Sequence, residues 1–121
     1  MSERRVAVFL SHADSDALRL AASCTLAAAS MSDRVDVFLF GPAVPAVVAA
    51  ALAAAAGEAE PGEPAVQIAR ARGENVRLVA CSASVVEEKV PLAEAERALD
   101  AVVGWPTILE WSRGVADRFH F

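Results

Sequence analysis

Short runs of β-branched and aromatic residues alternate with longer helical segments along this chain, and no other feature restricts its fold as strongly. Three such runs, at 6–10, 35–40 and 76–80, are predicted to be strands. Each run is apolar at almost every position, which is typical of strands buried on both faces of a parallel sheet. Two weaker runs, at 101–103 and 117–121, are predicted to be further strands.

The segments between these runs have the periodicity of helices. Ser15 is the predicted N-cap of the first helix, and Gly73 is predicted to end the third in a left-handed conformation. Ser84 and Thr107 begin patterns typical of capping boxes. The predicted helices span residues 16–31, 45–56, 63–72, 84–90, 92–100 and 107–114.

The order of these elements predicts an α/β fold. Strands that alternate with helices form parallel sheets with helices packed against their faces. We therefore expect a three-layer α/β/α sandwich around a mostly parallel sheet of about five strands. The length of 121 residues suits one domain, so residues 1–121 are predicted to form a single domain.

Composition excludes several classes of protein. The chain is 55% hydrophobic and 22% charged, which argues against disorder. Its 16 acidic residues outnumber its 11 basic ones, so the charge pattern expected of a nucleic-acid binder is lacking. Two cysteines make no disulfide framework and indicate a reducing compartment. The excess of alanine, and of arginine over lysine, suggests a bacterial source.

Neither of the apolar runs predicts a targeting signal or a membrane span. The run at 6–10 is too short for a signal-peptide core. The run at 43–56 is mostly alanine and falls short of the roughly 20 residues that cross a bilayer. We therefore expect a cytoplasmic protein that does not contact membranes.

The predicted helix at 45–56 has no polar face. A helix that is apolar all round is normally buried on every side. We expect this helix to pack against another subunit in a homo-oligomer. The alternative is that alanine is tolerated in water because it is a good helix former.

The candidate site lies where the third predicted strand ends. Parallel sheets bind ligands at the carboxyl ends of their strands. Cys81 follows that strand and precedes a helix, whose free N–H groups and dipole favour the nucleophilic thiolate. Ser82 and Ser84 add hydroxyl donors for an anionic sulfur. The alternative is that Cys81 is a small residue that fills space at a strand end.

Other candidate residues have weaker support. His12 follows the first strand and would pair with Cys81 if the two strand ends lay close together, whereas a solvated loop histidine is the alternative. Cys24 lies within a helix and is predicted to act as a small hydrophobic residue. Trp105 and Trp111 are expected in the core or in subunit contacts.

Several kinds of catalytic site are excluded by missing motifs. Glu87 stands six residues after Cys81, where a cysteine phosphatase needs arginine. The chain has no C-x-x-C pair and no glycine-rich nucleotide loop. Its two histidines are not clustered as a zinc site requires. We therefore expect neither a metal nor an organic cofactor.

The whole chain resembles the DsrE/DsrF-like family of small α/β proteins. The resemblance lies in residues 6–16, 35–41 and 114–121, and above all in the run V-R-L-V-A-C-S-A-S at 76–84. It implies a trimer or hexamer. In sulfur-relay members such as the DsrE and TusD subunits, a cysteine at the position of Cys81 accepts a persulfide sulfur and passes it on. The resemblance therefore implies donor and acceptor proteins and a sulfur carrier or sulfurtransferase function.

Two other functions fit the same sequence. The first is a homo-oligomeric scaffold or small-ligand-binding protein without catalytic activity. The second is a redox or peroxide-reactive thiol protein, for which Cys24 is a poor resolving partner.

Overall fold

The computed structural model describes residues 4–31 and 33–121. Within these ranges the strands are β1 (Arg5–Leu10), β2 (Arg34–Leu39), β3 (Val76–Cys81), β4 (Ala101–Val103) and β5 (Asp117–His120). The helices are α1 (Ser15–Ser30), α2 (Ala43–Ala55), α3 (Pro64–Ala71), α4 (Ser82–Glu87), α5 (Leu92–Ala98) and α6 (Trp105–Trp111). The strands form one five-stranded sheet in which every pair is parallel, so the predicted α/β/α sandwich is confirmed.

The order of the strands determines which face of the sheet each helix covers. The order is β4-β3-β2-β1-β5, so the chain moves steadily in one direction from β1 to β4 and then returns to the other side of β1. Crossovers between parallel strands are right-handed. Steps in one direction therefore place α1 to α5 on one face, and the return step places α6 on the opposite face.

Each face has its own core. The first face carries Val8, Val37 and Leu78, which pack with residues from α1 to α5. The second face carries Phe38 and Val79, which pack with residues of α6. Since α6 is a helix of 7 residues, the second face is much less covered than the first.

The apolar helix α2 is buried on one side within the chain itself. It packs on the first face between α3 and α5, and its residues Val44 and Val47 are fully buried. Within the helix, Ala49 and Ala55 are exposed. The flanking helices therefore cover the side of α2 that carries Val44 and Val47, and packing of its other side against a second subunit stays a prediction. Among the described residues, no helix is long and apolar enough to span a membrane.

The first helix begins at a different cap from the one predicted. Asp14 is the N-cap of α1, and its carboxylate Oδ2 accepts a hydrogen bond from the backbone N–H of Ala17 at 3.2 Å. The predicted cap, Ser15, is the first residue of the helix. Both are good capping residues, and the local backbone decides between them, because Asp14 is the extended one.

Replacing Asp14 with alanine is expected to lower the free energy of unfolding by about 1 kcal/mol, because the amide of Ala17 loses its acceptor. The matched control is Ser15→Ala, which should change stability by less than about 0.5 kcal/mol, since alanine is the better helix former. Urea denaturation of both variants measures the difference. An equal loss in the two variants would contradict the observed cap.

Three other boundary predictions were wrong. Cys81, rather than Ser84, is the N-cap of α4, and Gly104, rather than Thr107, is the N-cap of α6. In both cases the N-cap lies three residues earlier, because the helix begins at once or one residue after the preceding strand ends. Gly73 is not left-handed; the glycines of positive φ among the described residues are Gly41, Gly57 and Gly114.

Candidate functional site

Cys81 lies at the carboxyl end of β3 and at the start of α4. It is the last residue of the strand, where it pairs with Val103 of β4, and it is also the N-cap of the helix. Its side chain belongs to the core of the second face, together with Phe38 and Ile108. Only 2% of Cys81 is exposed, so its thiol is covered in this conformation.

Ser84 connects this strand end to its neighbour. The Ser84 hydroxyl accepts a hydrogen bond from the backbone N–H of Gly41 at 2.9 Å, and Ser84 itself is buried. Gly41 follows β2 and has a φ of +52°, a left-handed conformation that favours glycine. The Ser84 oxygen therefore holds the turn after β2, which leaves the hydroxyl proton available as a donor.

Ser82 lies where α4 approaches α6. A Cβ atom built on Gly104 would lie 3.8 Å from the Ser82 hydroxyl oxygen. Ser82 is partly exposed, in contrast to Ser84. The start of α6 and the start of α4 are therefore neighbours at the edge of the sheet where Cys81 ends its strand.

His12 is separated from Cys81 by a strand. Cys81 ends β3, His12 follows β1, and β2 lies between them. Adjacent strands are spaced by about 4.8 Å, which puts the two strand ends about 10 Å apart. His12 is exposed, and its Nδ1 lies 3.5 Å from the Ser11 hydroxyl oxygen. The two strand ends are therefore not adjacent in the sheet, and pairing of His12 with Cys81 stays a prediction.

A row of aromatic rings crosses the second face beside Cys81. The rings of His120 and Phe9 stack with centroids 4.7 Å apart, and Phe9 stacks on Phe38 at 5.2 Å. Phe40 stacks on Trp105 at 4.9 Å. Phe40 follows Leu39 and Cys81 follows Ala80, a pair in register, so Phe40 and Cys81 are neighbours on this face.

Sequence reasoning did not predict this row. Phe38 and Phe40 are two residues apart, which is the period of side chains on one face of a strand. That signal shows that the two rings share a face, but it does not show which strand lies beside them. The row depends on the strand order, which brings His120 of β5 next to Phe9 of β1.

Helix α6 is held on the second face mainly through its carboxyl-terminal end. The guanidinium of Arg5 donates to the carbonyls of Trp111 and Arg113, and Arg118 donates to the Ser112 carbonyl at 2.8 Å. The Arg77 guanidinium lies 3.9 Å from the centre of the Trp111 ring, a cation–π contact.

Asp36 keeps two of these arginines in place. Its carboxylate accepts hydrogen bonds from Nε and Nη2 of Arg77 at 2.9 and 3.1 Å, and Arg5 lies 4.0 Å away. This charged network contacts the end of α6 that is far from Cys81.

Cys24 lies in a different part of the fold. It packs against the core of the first face, from α1, and burial raises the pKa of its thiol. It lines a cavity of about 250 Å³ whose wall includes Met31, Phe119 and the ion pair of Arg4 with Asp117. Both cysteines are free thiols. In the described part of the chain, no three histidine, cysteine or acidic residues are grouped to hold a metal ion.

Comparison with known proteins supports the fold. No family model matches the chain, and no curated protein matches it. Among solved structures, the crystal structure of the ychN protein from E. coli is similar, with a TM-score of 0.59 and 16% identity over 98% of this chain and 99% of that chain. The chain therefore shares the fold of that protein, and at this identity the likeness extends to the fold alone.

Proposed function

We propose that this chain is a sulfur carrier or sulfurtransferase subunit that accepts a persulfide sulfur on Cys81. The observation that carries the proposal is the position of this thiol, at the carboxyl end of β3 and the N-cap of α4 in a DsrE-like fold. Ligands of parallel sheets bind at this edge. Among the described residues no second thiol lies at the same edge, since Cys24 is on α1 among the residues of the first face.

The transfer uses the Cys81 thiolate as a nucleophile. The thiolate attacks the terminal sulfur of a donor persulfide, a new S–S bond forms, and the S–S bond of the donor breaks. The donor leaves as a thiolate with the bonding electron pair, and Cys81 becomes a persulfide. The exchange needs no external oxidant or reductant, because one persulfide replaces another. Attack by an acceptor thiolate on the terminal sulfur completes the relay.

The groups around Cys81 suit a negatively charged sulfur. The first amides of α4 have no partner within the helix and point towards its N-cap. Ser84 keeps its hydroxyl proton free because its oxygen accepts the Gly41 amide. Ser82 provides a partly exposed hydroxyl at the same helix start. We assign these groups the role of stabilising the perthiolate.

A second candidate is a homo-oligomeric scaffold or small-ligand-binding protein. Two observations favour it: the buried state of Cys81, and the incomplete cover of the second face, where Trp105 is 50% exposed. A second copy packed on this face would hide the ring of Trp105. On this alternative Cys81 is a packing residue and accepts no sulfur, and the assembly is a trimer or hexamer.

The experiment that separates the two is sulfur loading followed by peptide mass spectrometry. The protein is incubated with polysulfide, or with a cysteine desulfurase and cysteine, and then alkylated and digested. We expect one additional sulfur atom on the Cys81 peptide, removed by reductant, and none on the Cys24 peptide. An unmodified Cys81 peptide under both conditions would reject the carrier function and favour the scaffold.

A further inference from the structure

The burial of Cys81 conflicts with any reaction of its thiol, and the conflict points to a movable part of the fold. A nucleophilic sulfur must approach the atom it attacks, yet Cys81 is 2% exposed. On the second face, the Cys81 side chain packs with Ile108, which lies in the first turn of α6. Access to the thiol therefore requires that this turn, or the rings beside it, move away.

The two ends of α6 are attached to the sheet very differently. The carboxyl-terminal end is held by the guanidinium groups of Arg5 and Arg118 and by the stacking of Arg77 on Trp111. The amino-terminal end begins at Gly104, and no side chain caps it. Stacking of Trp105 on Phe40 is the ring contact at this end, and half of the Trp105 side chain faces solvent. The weakly attached end is the end beside Cys81.

The segment before α6 is also weakly held. β4 has three residues, all partly exposed, and it is the edge strand that pairs with β3 alone. The residue between β4 and α6 is Gly104, which has no side chain to pack and adapts readily to a change in backbone angles. Residues 101–107 are all partly or largely exposed, and Ile108 is the buried residue of the segment 101–108. Local opening of a protein occurs where buried apolar contacts are few.

We infer that the first turn of α6, residues 105–108, is a movable cover over Cys81 that is held closed by the stacking of Trp105 on Phe40. In the closed state Trp105 stacks on Phe40 and the thiol is buried. In the open state Trp105 leaves Phe40, the first turn of α6 lifts from the second face, and Cys81 is exposed to a donor. The anchors at Trp111 and Ser112 remain in place and return the helix to the closed position. This inference rests on the proposed function, because opening serves to expose Cys81 to a sulfur donor. Access to the thiol can nevertheless be measured without any sulfur transfer.

The test is the rate at which a maleimide modifies Cys81 in the native protein. Cys24→Ser removes the other thiol, so one reaction is followed. In this background, Trp105→Ala is expected to accelerate modification about tenfold, because both the stacking on Phe40 and the buried part of the Trp105 ring are lost. Trp105→Phe keeps a ring over Phe40 and should restore a slow rate. Leu109→Ala is the matched control, since Leu109 is on the same helix and is 55% exposed.

Low concentrations of guanidinium chloride distinguish opening of the cover from unfolding of the whole chain. Opening of one helical turn exposes little surface, so we expect the rate to depend weakly on denaturant, whereas global unfolding gives a steep dependence. The inference is overturned if Trp105→Ala reacts no faster than the parent protein, or if modification in both proteins rises steeply with denaturant. If modification depends on Trp105 while Cys81 takes up no sulfur, the cover stands and the proposed function fails. If Cys81 takes up sulfur while its rate of modification does not depend on Trp105, the proposed function stands and the movable cover is rejected.

Discussion

Replacing Cys81 with serine is expected to abolish sulfur loading completely. A serine hydroxyl is of similar size but cannot form the S–S bond on which the transfer depends. The measurement is the amount of sulfide released by reductant from protein that has been incubated with polysulfide and desalted. The parent protein should release close to one sulfide per chain, and Cys81→Ser should release none.

The matched control for this experiment is Cys24→Ser. Burial raises the pKa of the Cys24 thiol, which keeps it in its unreactive neutral form at neutral pH. The control should therefore release as much sulfide as the parent protein. Because Cys81 is buried, Cys81→Ala serves as a second variant that adds no hydroxyl to the core. Full sulfide release from either Cys81 variant would show that another residue carries the sulfur.

Replacing Phe38 with alanine is expected to reduce the free energy of unfolding by about 3 to 5 kcal/mol. Phe38 is fully buried and stacks on Phe9, and it is the largest member of the small core that α6 covers. Of the other buried members, Ala7, Val79 and Cys81 lie on strands inside the sheet, whose backbone cannot shift far enough to refill the space.

Phe119→Ala is the matched control, because it makes the same substitution at a partly exposed position. Phe119 is on the edge strand β5 and is 41% exposed, so its removal leaves no closed cavity. We expect a loss of less than about 1.5 kcal/mol, because a partly exposed ring contributes only part of its transfer energy. Urea denaturation of both variants gives the comparison. Similar losses in the two variants would mean that the second face is not an independent packed core.

The local elements of this fold could be predicted from the sequence with good accuracy. The strand at 101–103 was predicted at its observed bounds, and β1, β2 and β3 were each predicted to within one residue at either end. Buried parallel strands have a strong local signal, because nearly all of their residues are apolar. The helix caps were predicted less well. Asp14 and Ser15 are chemically equivalent caps, and only the backbone conformation at this turn distinguishes them.

For the candidate site, too, local patterns could be predicted from the sequence and contacts between distant segments could not. Cys81 is predicted as a candidate because a thiol between a strand and a helix is a local pattern, and Ser82 and Ser84 are predicted from their place in the same segment. The aromatic row was missed because its members come from β1, β2, β5 and α6. The separation of His12 from Cys81 was equally hidden, because the sequence does not specify which strands are neighbours.

The sequence by itself determined the class of this fold, the positions of its strands to within one residue, and the place of Cys81 between a strand and a helix. These properties depend on residues close together in the chain, where periodicity and side-chain type act directly on the backbone. Only the tertiary structure decided that one side of α2 is covered within the chain, that one short helix lies over Cys81 and that the anchored end of that helix is the far one. These properties depend on the strand order β4-β3-β2-β1-β5, because right-handed crossovers then place α1 to α5 on one face and α6 on the other.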